Sequence, residues 1–203
     1  MESRHARHWD RLAARYDDLS AGVERRFLAP SRPWVAGRVH GRVLEVGVGT
    51  GANLAHYPAG TDLTCLERSD PMLEQARARA RRLGLEVAFV HGDAGALEAA
   101  DDAFDTVLST FTLCCVPDEE AALAEMVRVL RPGGSLLLAD HVAAAPWWLR
   151  AGQALAETVS VPVQGEHFRR RPLRVVRALG LEVLATEREG LGLIERVHAR
   201  QPG

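Results

Sequence analysis

Residues 42–58 read RVLEVGVGTGANLAHYP, a short apolar run followed by glycines at alternate positions, Gly47, Gly49 and Gly51. An apolar run of this length is typical of a parallel β-strand that is covered on both faces. Glycines directly after such a strand let the backbone turn sharply and approach a ligand closely, and N–H groups at a following helix start are unpaired. The stretch therefore predicts a strand that ends in a ligand-binding loop.

Similar apolar runs recur along the chain and alternate with helical patterns. Strands are predicted at DLTCLE, VAFVHG, FDTVLST and SLLLADHV, and helices over residues 70–83 and 118–130. Residues 181–186 and 193–198 indicate two more strands joined by a tight connection. Alternating strands and helices specify a doubly wound α/β sheet. We therefore predict a single Rossmann-like, mostly parallel sheet of seven strands with a terminal antiparallel hairpin.

The chain is predicted to form one domain, because its 203 residues and 47% hydrophobic content suit a single core. Residues 1–40 form an N-terminal helical cap in this interpretation, with Trp9, Leu12 and Tyr16 at helical spacing. Two helices separated near Ser20 and Gly22 fit this region. Residues 41–142 form the ligand-binding core, and residues 143–203 form the remaining segment with the hairpin.

Composition narrows the classes of function. A net charge of -2 and a pI near 6.4 give no overall basic field for nucleic acid or an anionic membrane. No apolar run is long enough to span a bilayer, and the charged amino terminus does not resemble a signal peptide. We therefore expect a cytoplasmic protein without stable membrane insertion. All 25 basic residues are arginine, which indicates a GC-rich, bacterial genome. The His and Cys residues lack metal-ligand spacing, so no metal is expected.

The acids near the glycine loop indicate the kind of ligand. Ligands of open parallel sheets bind beyond the carboxyl ends of the strands, where Glu67 could accept both ribose hydroxyls of a nucleoside. Glu45 precedes Gly47 by two residues, and a buried acid there needs a cationic or N–H partner. S-adenosylmethionine offers an ammonium and a sulfonium. Two other interpretations of this loop stay open. One is a dinucleotide-dependent oxidoreductase, which the GxGxG spacing disfavours, and the other is a non-catalytic cofactor-binding module.

Five motifs occur in order and register over roughly half of the chain: VLEVGVGTG, LERSDPML, HGDAGAL, FDTVLSTFTLCCVPD and VLRPGGSLLLADHV. Together they resemble the class I S-adenosylmethionine-dependent methyltransferases. The resemblance implies S-adenosyl-L-methionine as cofactor and S-adenosyl-L-homocysteine as product. It also implies that Glu45 and Gly47 hold the methionine end, that Gly49 and Gly51 let the cofactor lie against the loop, and that Glu67 binds the ribose.

The same resemblance assigns further cofactor-binding positions. Met72 matches an apolar residue that packs on the adenine, and Asp93 with Ala94 matches the pair that meets the adenine edge. Ser109 and Thr110 match the loop beneath the sulfonium.

Two other positions complete this set. Tyr16 resembles the aromatic residue with which an amino-terminal helix closes over the cofactor, and core packing is its alternative role. Arg68, next to the ribose-binding acid, is included among the cofactor-binding residues.

The segments FTLCCVPD, VLRPGG and DHVAA resemble a narrower group, the small-molecule thiol methyltransferases related to ubiquinone- and menaquinone-pathway enzymes. Relatives in this group can carry an amino-terminal membrane helix, which this sequence lacks. We expect a small, largely apolar methyl acceptor, because Trp147, Trp148 and Leu149 follow the fifth strand. A thiol is the first choice, because it would explain the absence of an obvious metal or acid–base dyad. N-methylation of an amine or phospholipid, and C- or O-methylation of a quinone or natural product, stay open. Nucleic-acid bases are not expected, because STFTL lacks the aromatic-proline signature of DNA amino-methylating enzymes.

Residues beyond the fifth strand are candidates for the acceptor side. His141, at the end of that strand, is the candidate general base, although it could instead bond to the backbone. His167 is a second candidate. Trp147 and Trp148 are predicted to wall the acceptor pocket, with core packing or membrane contact as the alternatives. The oligomeric state is not predicted from the sequence.

Overall fold

The computed structural model describes residues 4–203, excluding the side chains of residues 4–6. Its centre is a seven-stranded sheet in the order β3-β2-β1-β4-β5-β7-β6. The strands are β1 (Arg42–Val46), β2 (Asp62–Glu67), β3 (Ala88–His91), β4 (Phe104–Thr110), β5 (Leu130–His141), β6 (Glu182–Glu189) and β7 (Ile194–Arg200). Strands β1 to β5 are parallel, whereas β7 runs antiparallel to both β5 and β6. The predicted fold class, including the terminal hairpin, is confirmed.

Seven α-helices accompany the sheet in residues 4–203. They are α1 (Arg4–Leu12), α2 (Tyr16–Val23), α3 (Ser31–Ala36), α4 (Asp70–Leu83), α5 (Glu119–Arg128), α6 (Trp147–Gln164) and α7 (Pro172–Ala178). Short 3-10 turns occupy residues 13–15 and 54–56, and a π-helical turn occupies residues 24–28. None of the helices in this described part of the chain has both the length and the apolar character needed to cross a bilayer.

Helix α4 shows why a local pattern can specify an element. The Ser69 side chain accepts a hydrogen bond from the Met72 backbone N–H, as an N-cap residue does. Pro71 occupies the first turn, where its missing N–H has no cost. Gly84 ends the helix with φ +67°, a left-handed conformation that favours glycine. The predicted bounds of 70–83 are those observed.

The predicted break near Ser20 and Gly22 is wrong, because both residues lie inside α2. The Ser20 hydroxyl donates to the Asp17 carbonyl and so stays within the helix. The helical path is interrupted earlier, at residues 13–15, where Gln75 Nε2 donates to the Ala13 carbonyl at 2.6 Å. The interruption of the helix at residues 13–15 therefore coincides with a contact to Gln75 on α4.

Two apolar clusters cover the faces of the sheet. Helices α5 and α7 pack on one cluster through residues such as Leu123, Met126 and Val176. Helices α3 and α4 pack on the other through residues such as Val35 and Leu73. Because β1 is followed by a connection to β2 on one side and lies beside β4 on the other, the strand order switches direction between β1 and β4. Ligands of such sheets bind at this switch point.

Candidate cofactor and acceptor site

A cleft of about 1130 Å³, including its open mouth, lies at the switch point. Its walls come from the loops after β1, β2, β3 and β4, and from the N-terminal helices. Its lining includes Gly47, Gly49, Glu67, Asp93 and Thr110.

The three loop glycines are required for different physical reasons. A Cβ added at Gly47 would lie 2.2 Å from the Thr112 side chain, and one added at Gly51 would lie 3.2 Å from Ala76 Cα. Packing therefore excludes side chains at these two positions. A Cβ at Gly49 would meet nothing within 4 Å, and the residue has φ +55°. Since Gly49 lines the cleft, the space that its missing side chain leaves belongs to the cleft.

The Glu67 carboxylate is held by three backbone N–H groups. Oε2 accepts from Gly49, and Oε1 accepts from Arg68 and Ser69, all at 2.9 Å. Burial raises the pKa of Glu67 above its usual value, although the three N–H groups act in the opposite direction. The carboxylate is thus oriented in the cleft wall before any ligand binds.

Four further predicted cofactor residues line the same cleft. Met72 and Ala94 are buried apolar side chains. Arg68 Nη1 lies 3.2 Å from Asp93 Oδ2, and Asp93 Oδ1 accepts from the Gly95 N–H at 2.9 Å. An apolar surface is thus combined with a fixed carboxylate, which suits a flat heteroaromatic ring that has polar edges.

Glu45, predicted with Gly47 to hold the methionine end, is not among the residues that line the cleft. Its side chain is buried behind the loop, where it accepts hydrogen bonds of 2.7 Å from Asn53 Nδ2 and from the Tyr57 hydroxyl. Burial raises the pKa of Glu45, and the bonds from Tyr57 and Asn53 lower it. The acid therefore meets neutral donors that lie further along its own loop.

A buried arginine, which the sequence analysis did not select, reaches the cleft from α3. Arg32 Nη1 donates to Asn53 Oδ1 at 2.9 Å, and Asn53 Nδ2 donates to Thr110 Oγ1 at 2.8 Å. Glu24 fixes the guanidinium through two bonds of 2.6 and 2.7 Å. Arg32 and Thr110 both line the cleft. A fixed cation at this place can bind a carboxylate. No local motif marks Arg32, because its partners Glu24 and Asn53 belong to other elements, eight and 21 residues away.

The N-terminal helices close one side of the cleft with Trp9 and Tyr16, whose rings meet edge to face at 6.2 Å. Burial raises the pKa of Tyr16, so its hydroxyl stays protonated at neutral pH. Hydrogen bonds of 2.6 Å join Asp10 to the Ser69 hydroxyl and Asp17 to the Thr50 hydroxyl. The helices are thus attached to the cofactor loops through polar side chains.

The loop after β4 supplies the floor. Ser109 does not line the cleft, because its hydroxyl donates to the Val46 carbonyl at 2.9 Å within the sheet. Phe111 lines the cleft and has φ +54°, an uncommon conformation for a bulky residue. Thr112 Oγ1 donates to the Gly47 carbonyl at 3.0 Å, which ties the β4 loop to the glycine loop.

His141 lies outside the cleft lining, in a polar cluster at the end of β5. Its Nε2 is 3.1 Å from Glu166 Oε1, and its backbone N–H donates to Asp140 at 2.8 Å. Burial lowers the pKa of His141, but Glu166 and Asp140 outweigh that effect and leave the pKa raised. Potential ligand atoms of Cys114, His141 and Glu166 lie within 4.8 Å of one another, a grouping that their sequence spacing does not reveal.

The structure does not bring Trp147, Trp148 or His167 to the cleft. The two tryptophans begin α6 and are 73% and 55% exposed, and neither lines the cleft. The predicted acceptor wall therefore needs correction: the unpredicted helix α6 directs both rings towards solvent. His167 lies on the loop after α6, and its backbone N–H donates to the Cys114 carbonyl at 2.8 Å.

Comparison with known proteins shows which families this chain is similar to. Residues 44–138 match the family described as a methyltransferase domain. The phosphatidylethanolamine N-methyltransferase of Cereibacter sphaeroides is 41% identical over 105 residues, which cover 51% of this chain and 52% of the relative. The human thiol S-methyltransferase TMT1A is 34% identical over 137 residues, 66% of this chain and 56% of the relative. The demethylmenaquinone methyltransferase of Renibacterium salmoninarum is 36% identical over 143 residues, 64% and 59% of the two chains.

A solved structure supports the same fold. The crystal structure of an S-adenosylmethionine-dependent methyltransferase from Thermotoga maritima superposes with a TM-score of 0.71 at 24% identity, and covers 96% of this chain and 99% of that one. The chain spans between half and three fifths of the length of the curated relatives described above. The resemblance to S-adenosylmethionine-dependent methyltransferases that the motifs indicated is confirmed.

Proposed function

We propose that this protein is an S-adenosylmethionine-dependent methyltransferase that acts on a small, largely apolar acceptor, with a thiol as the leading reacting group. The observation that carries the proposal is the pairing of Gly49 with Glu67 at the switch point. Gly49 leaves open space in the cleft, and Glu67 presents an oriented carboxylate there. Both lie within the segment that matches a methyltransferase domain.

The cleft residues fit the parts of this cofactor. S-adenosylmethionine supplies a methyl group on a positively charged sulfur, which is activated for nucleophilic attack. Glu67 would accept the ribose hydroxyls, and Met72 with Ala94 would pack on the adenine, whose edge faces Asp93. The fixed carboxylate and the space beside Gly49 support this orientation, because a larger residue would occupy that space.

We assign the methionine end to Arg32 and Thr110. The buried guanidinium suits the carboxylate of an amino acid, since charge-assisted bonds of this kind are strong. Glu45 would then act as a positioning residue, because it orients Asn53, which bonds to both Arg32 and Thr110. This assignment replaces the direct role that the resemblance implied for Glu45.

The acceptor would occupy the part of the cleft that lies along the β4 loop. Phe111, Val116 and Pro117 supply apolar surface there, and Cys115 and Tyr16 also line the cleft. Apolar walls select an acceptor by shape and burial, and each buried methylene contributes about 0.8 kcal/mol. A thiol acceptor needs little help to lose its proton, since thiols ionise near neutral pH. An alcohol or phenol would need a general base, and the candidate His141 does not line the cleft.

Other acceptors belong to the same chemistry. The relatives are named for a phospholipid amine, for thiols and for a menaquinone precursor. We retain N-methylation of an amine or phospholipid, and C- or O-methylation of a quinone or natural product, as alternatives. We further propose a cytoplasmic, metal-free enzyme whose acceptor is not nucleic acid.

Two measurements test the function. Calorimetric titration with S-adenosylhomocysteine and with NAD separates a methyltransferase from a dinucleotide-dependent oxidoreductase, and we expect only the first ligand to bind. Transfer of labelled methyl to matched alkyl thiols, phenols and amines then separates catalysis from a binding module. Preference for amines or phenols would contradict the thiol assignment. Activity that a chelator removes and Zn²⁺ restores would instead make Cys114, His141 and Glu166 a metal site.

A further inference from the structure

Helix α6 presents an exposed face without a charged side chain. Of its ten exposed residues, only Thr158 is polar, and its hydroxyl donates to the Leu155 carbonyl at 2.7 Å. The helix has 18 residues, so this face extends over about 27 Å. Its large apolar side chains, with their exposed fractions, are Trp147 (73%), Trp148 (55%), Leu155 (72%), Val159 (66%) and Val163 (48%). A continuous exposed apolar surface of this kind marks an interaction site.

The charged residues of α6 are engaged elsewhere. Arg150 Nη1 donates to the carbonyls of Ala144 and Ala145, and Glu157 accepts from the backbone N–H and the guanidinium of Arg169. The apolar surface also continues past the helix start. Leu191, which is 61% exposed, accepts from the Ala145 N–H at 2.9 Å and so places the β6–β7 turn beside Trp147.

The neighbouring N-terminal helices carry exposed arginines that have no ion-pair partner in the described chain. Helix α1 packs against α6, and Trp9 Nε1 donates to the Gln164 carbonyl at 3.1 Å. Asp10, Asp17 and Glu24 are engaged by other residues, whereas Asp18 is exposed and forms no ion pair with the described residues. Five exposed arginines in this region likewise form no ion pair within the described chain: Arg7, Arg11, Arg15, Arg25 and Arg26.

Apolar side chains are interleaved with these arginines. Leu19, Val23 and Phe27 are spaced four residues apart, as on one face of a helix, and are 58%, 53% and 43% exposed. Basic residues around an apolar helical face are the composition of an element that lies in a membrane interface. The overall charge of -2 does not reveal this asymmetry.

We propose that α6 and the N-terminal helices dock on an anionic lipid surface, with the apolar face of α6 in the headgroup region. Arginines favour this occupant, because the negative surface potential of an anionic leaflet attracts basic side chains. Pairing of two copies through α6 is less favourable, since it would bring two arginine-rich N-terminal regions towards each other. Trp9 belongs to this region and lines the cleft, so the cleft opens beside the docking surface. If the proposed function holds, an apolar acceptor would enter from the bilayer.

Vesicle sedimentation tests the docking surface directly. The chain should sediment with vesicles of about two parts phosphatidylcholine to one part phosphatidylglycerol, and much less with phosphatidylcholine alone. The double variant Leu155→Glu/Val159→Glu should bind at least about tenfold more weakly. Leu83→Glu is the matched control, because Leu83 is also exposed, at 43%, but ends α4 away from α6, and its binding should be unchanged.

Tryptophan fluorescence supplies a second readout that does not depend on the charged variants. Lipids brominated near the headgroups should quench the tryptophan fluorescence of the wild-type protein. The double variant Trp147→Phe/Trp148→Phe should lose that quenching. Absence of vesicle binding by the wild type would overturn the proposal, as would undiminished binding by the folded double variant. If the wild type forms a dimer and does not bind vesicles, and the double variant is a monomer, the partner of this surface is a second copy of the chain. None of these readouts requires methyl transfer, so failure of the docking surface and failure of the proposed function are distinguishable.

Discussion

The backbone N–H of Gly49 donates to Glu67 Oε2 at 2.9 Å, which joins the loop after β1 to the end of β2. Two strands of the sheet therefore share one polar contact at the point where they both meet the cleft. A ligand that bonds to the Glu67 carboxylate therefore depends on the glycine loop, which helps to hold that carboxylate in position. The acid and the glycine are expected to act as one unit, and each can be tested separately.

Glu67→Ala should weaken binding of S-adenosylhomocysteine by about ten- to 150-fold, or roughly 1.5 to 3 kcal/mol, because a charge-assisted contact with the ribose is lost. Calorimetry measures the affinity, and thermal unfolding verifies that the variant is folded. Glu74→Ala is the control, since Glu74 is an exposed acid on α4 that pairs with Arg77. An unchanged affinity in folded Glu67→Ala would show that Glu67 does not bind the ribose.

Gly49→Val should abolish cofactor binding, because its side chain would occupy the open space of the cleft. Gly60→Val is a matched control: Gly60 has φ +79°, and its added Cβ also meets nothing within 4 Å, but it does not line the cleft. The left-handed backbone should cost both variants about 1 to 2 kcal/mol of unfolding free energy. Equal affinity in the two variants would mean that the glycine loop is only a turn.

Glu119→Gln should remove a pH dependence of stability. Burial raises the pKa of Glu119 to about 7, with Arg170 opposing the shift and Asp140 adding to it. The folded chain therefore binds more protons than the unfolded chain between the ordinary pKa of Glu and 7, and this carboxyl makes stability fall as pH rises through that window. At pH 8 the variant should be more stable than the wild type by on the order of 1 kcal/mol, after allowance for partial exposure.

Urea unfolding at several pH values checks this expectation. The difference between Glu119→Gln and the wild type should shrink towards pH 4, where the carboxyl is protonated in both states. Glu98→Gln, at an exposed position that does not contribute to the shift of Glu119, should show no comparable change. A constant difference at all pH values would rule out titration of Glu119 as the cause.

Glu166→Gln should lower the pKa of His141, because it removes the charged partner at 3.1 Å while Asp140 and Cys114 stay in place. A raised pKa means that the histidine stabilises the fold below its unfolded pKa and that this contribution is lost as pH rises through the folded pKa. In Glu166→Gln, the loss of folding stability with rising pH that comes from His141 should be smaller. NMR titration of the His141 ring measures the pKa directly, with the exposed substitution Glu98→Gln as control, and an unchanged value would exclude Glu166 as its cause.

The sheet was predictable because its signals are local. Each parallel strand contains a short apolar run near turn residues, and α4 has its cap, its proline and its terminal glycine at its two ends. Helix α6 was not predicted, since its apolar residues occur on the exposed face and Pro162 interrupts the pattern. Hydrophobic periodicity predicts the buried side of a helix only when its apolar residues pack into the core.

The candidate site was predictable where a motif specifies the backbone, as in the glycine loop, and less so where side chains from distant elements meet. Arg32 reaches the cleft only because Glu24 and Asn53 hold it. Glu45 has the sequence position of a ligand-binding acid, yet Asn53 and Tyr57 satisfy it behind the loop. These partnerships depend on tertiary packing, which no single motif encodes.

The polar attachment of the N-terminal helices has a kinetic consequence. Among residues 7–28 only Ala13 is buried, so these helices cover the cleft with little apolar area to hold them down. Segments of this kind open at a small fraction of the free energy that unfolds the whole domain. The residence time of a ligand should therefore be governed by how often the helices separate from the loops. Because the attachment includes the ion pair of Asp17 with Arg79, added salt should shorten that residence time.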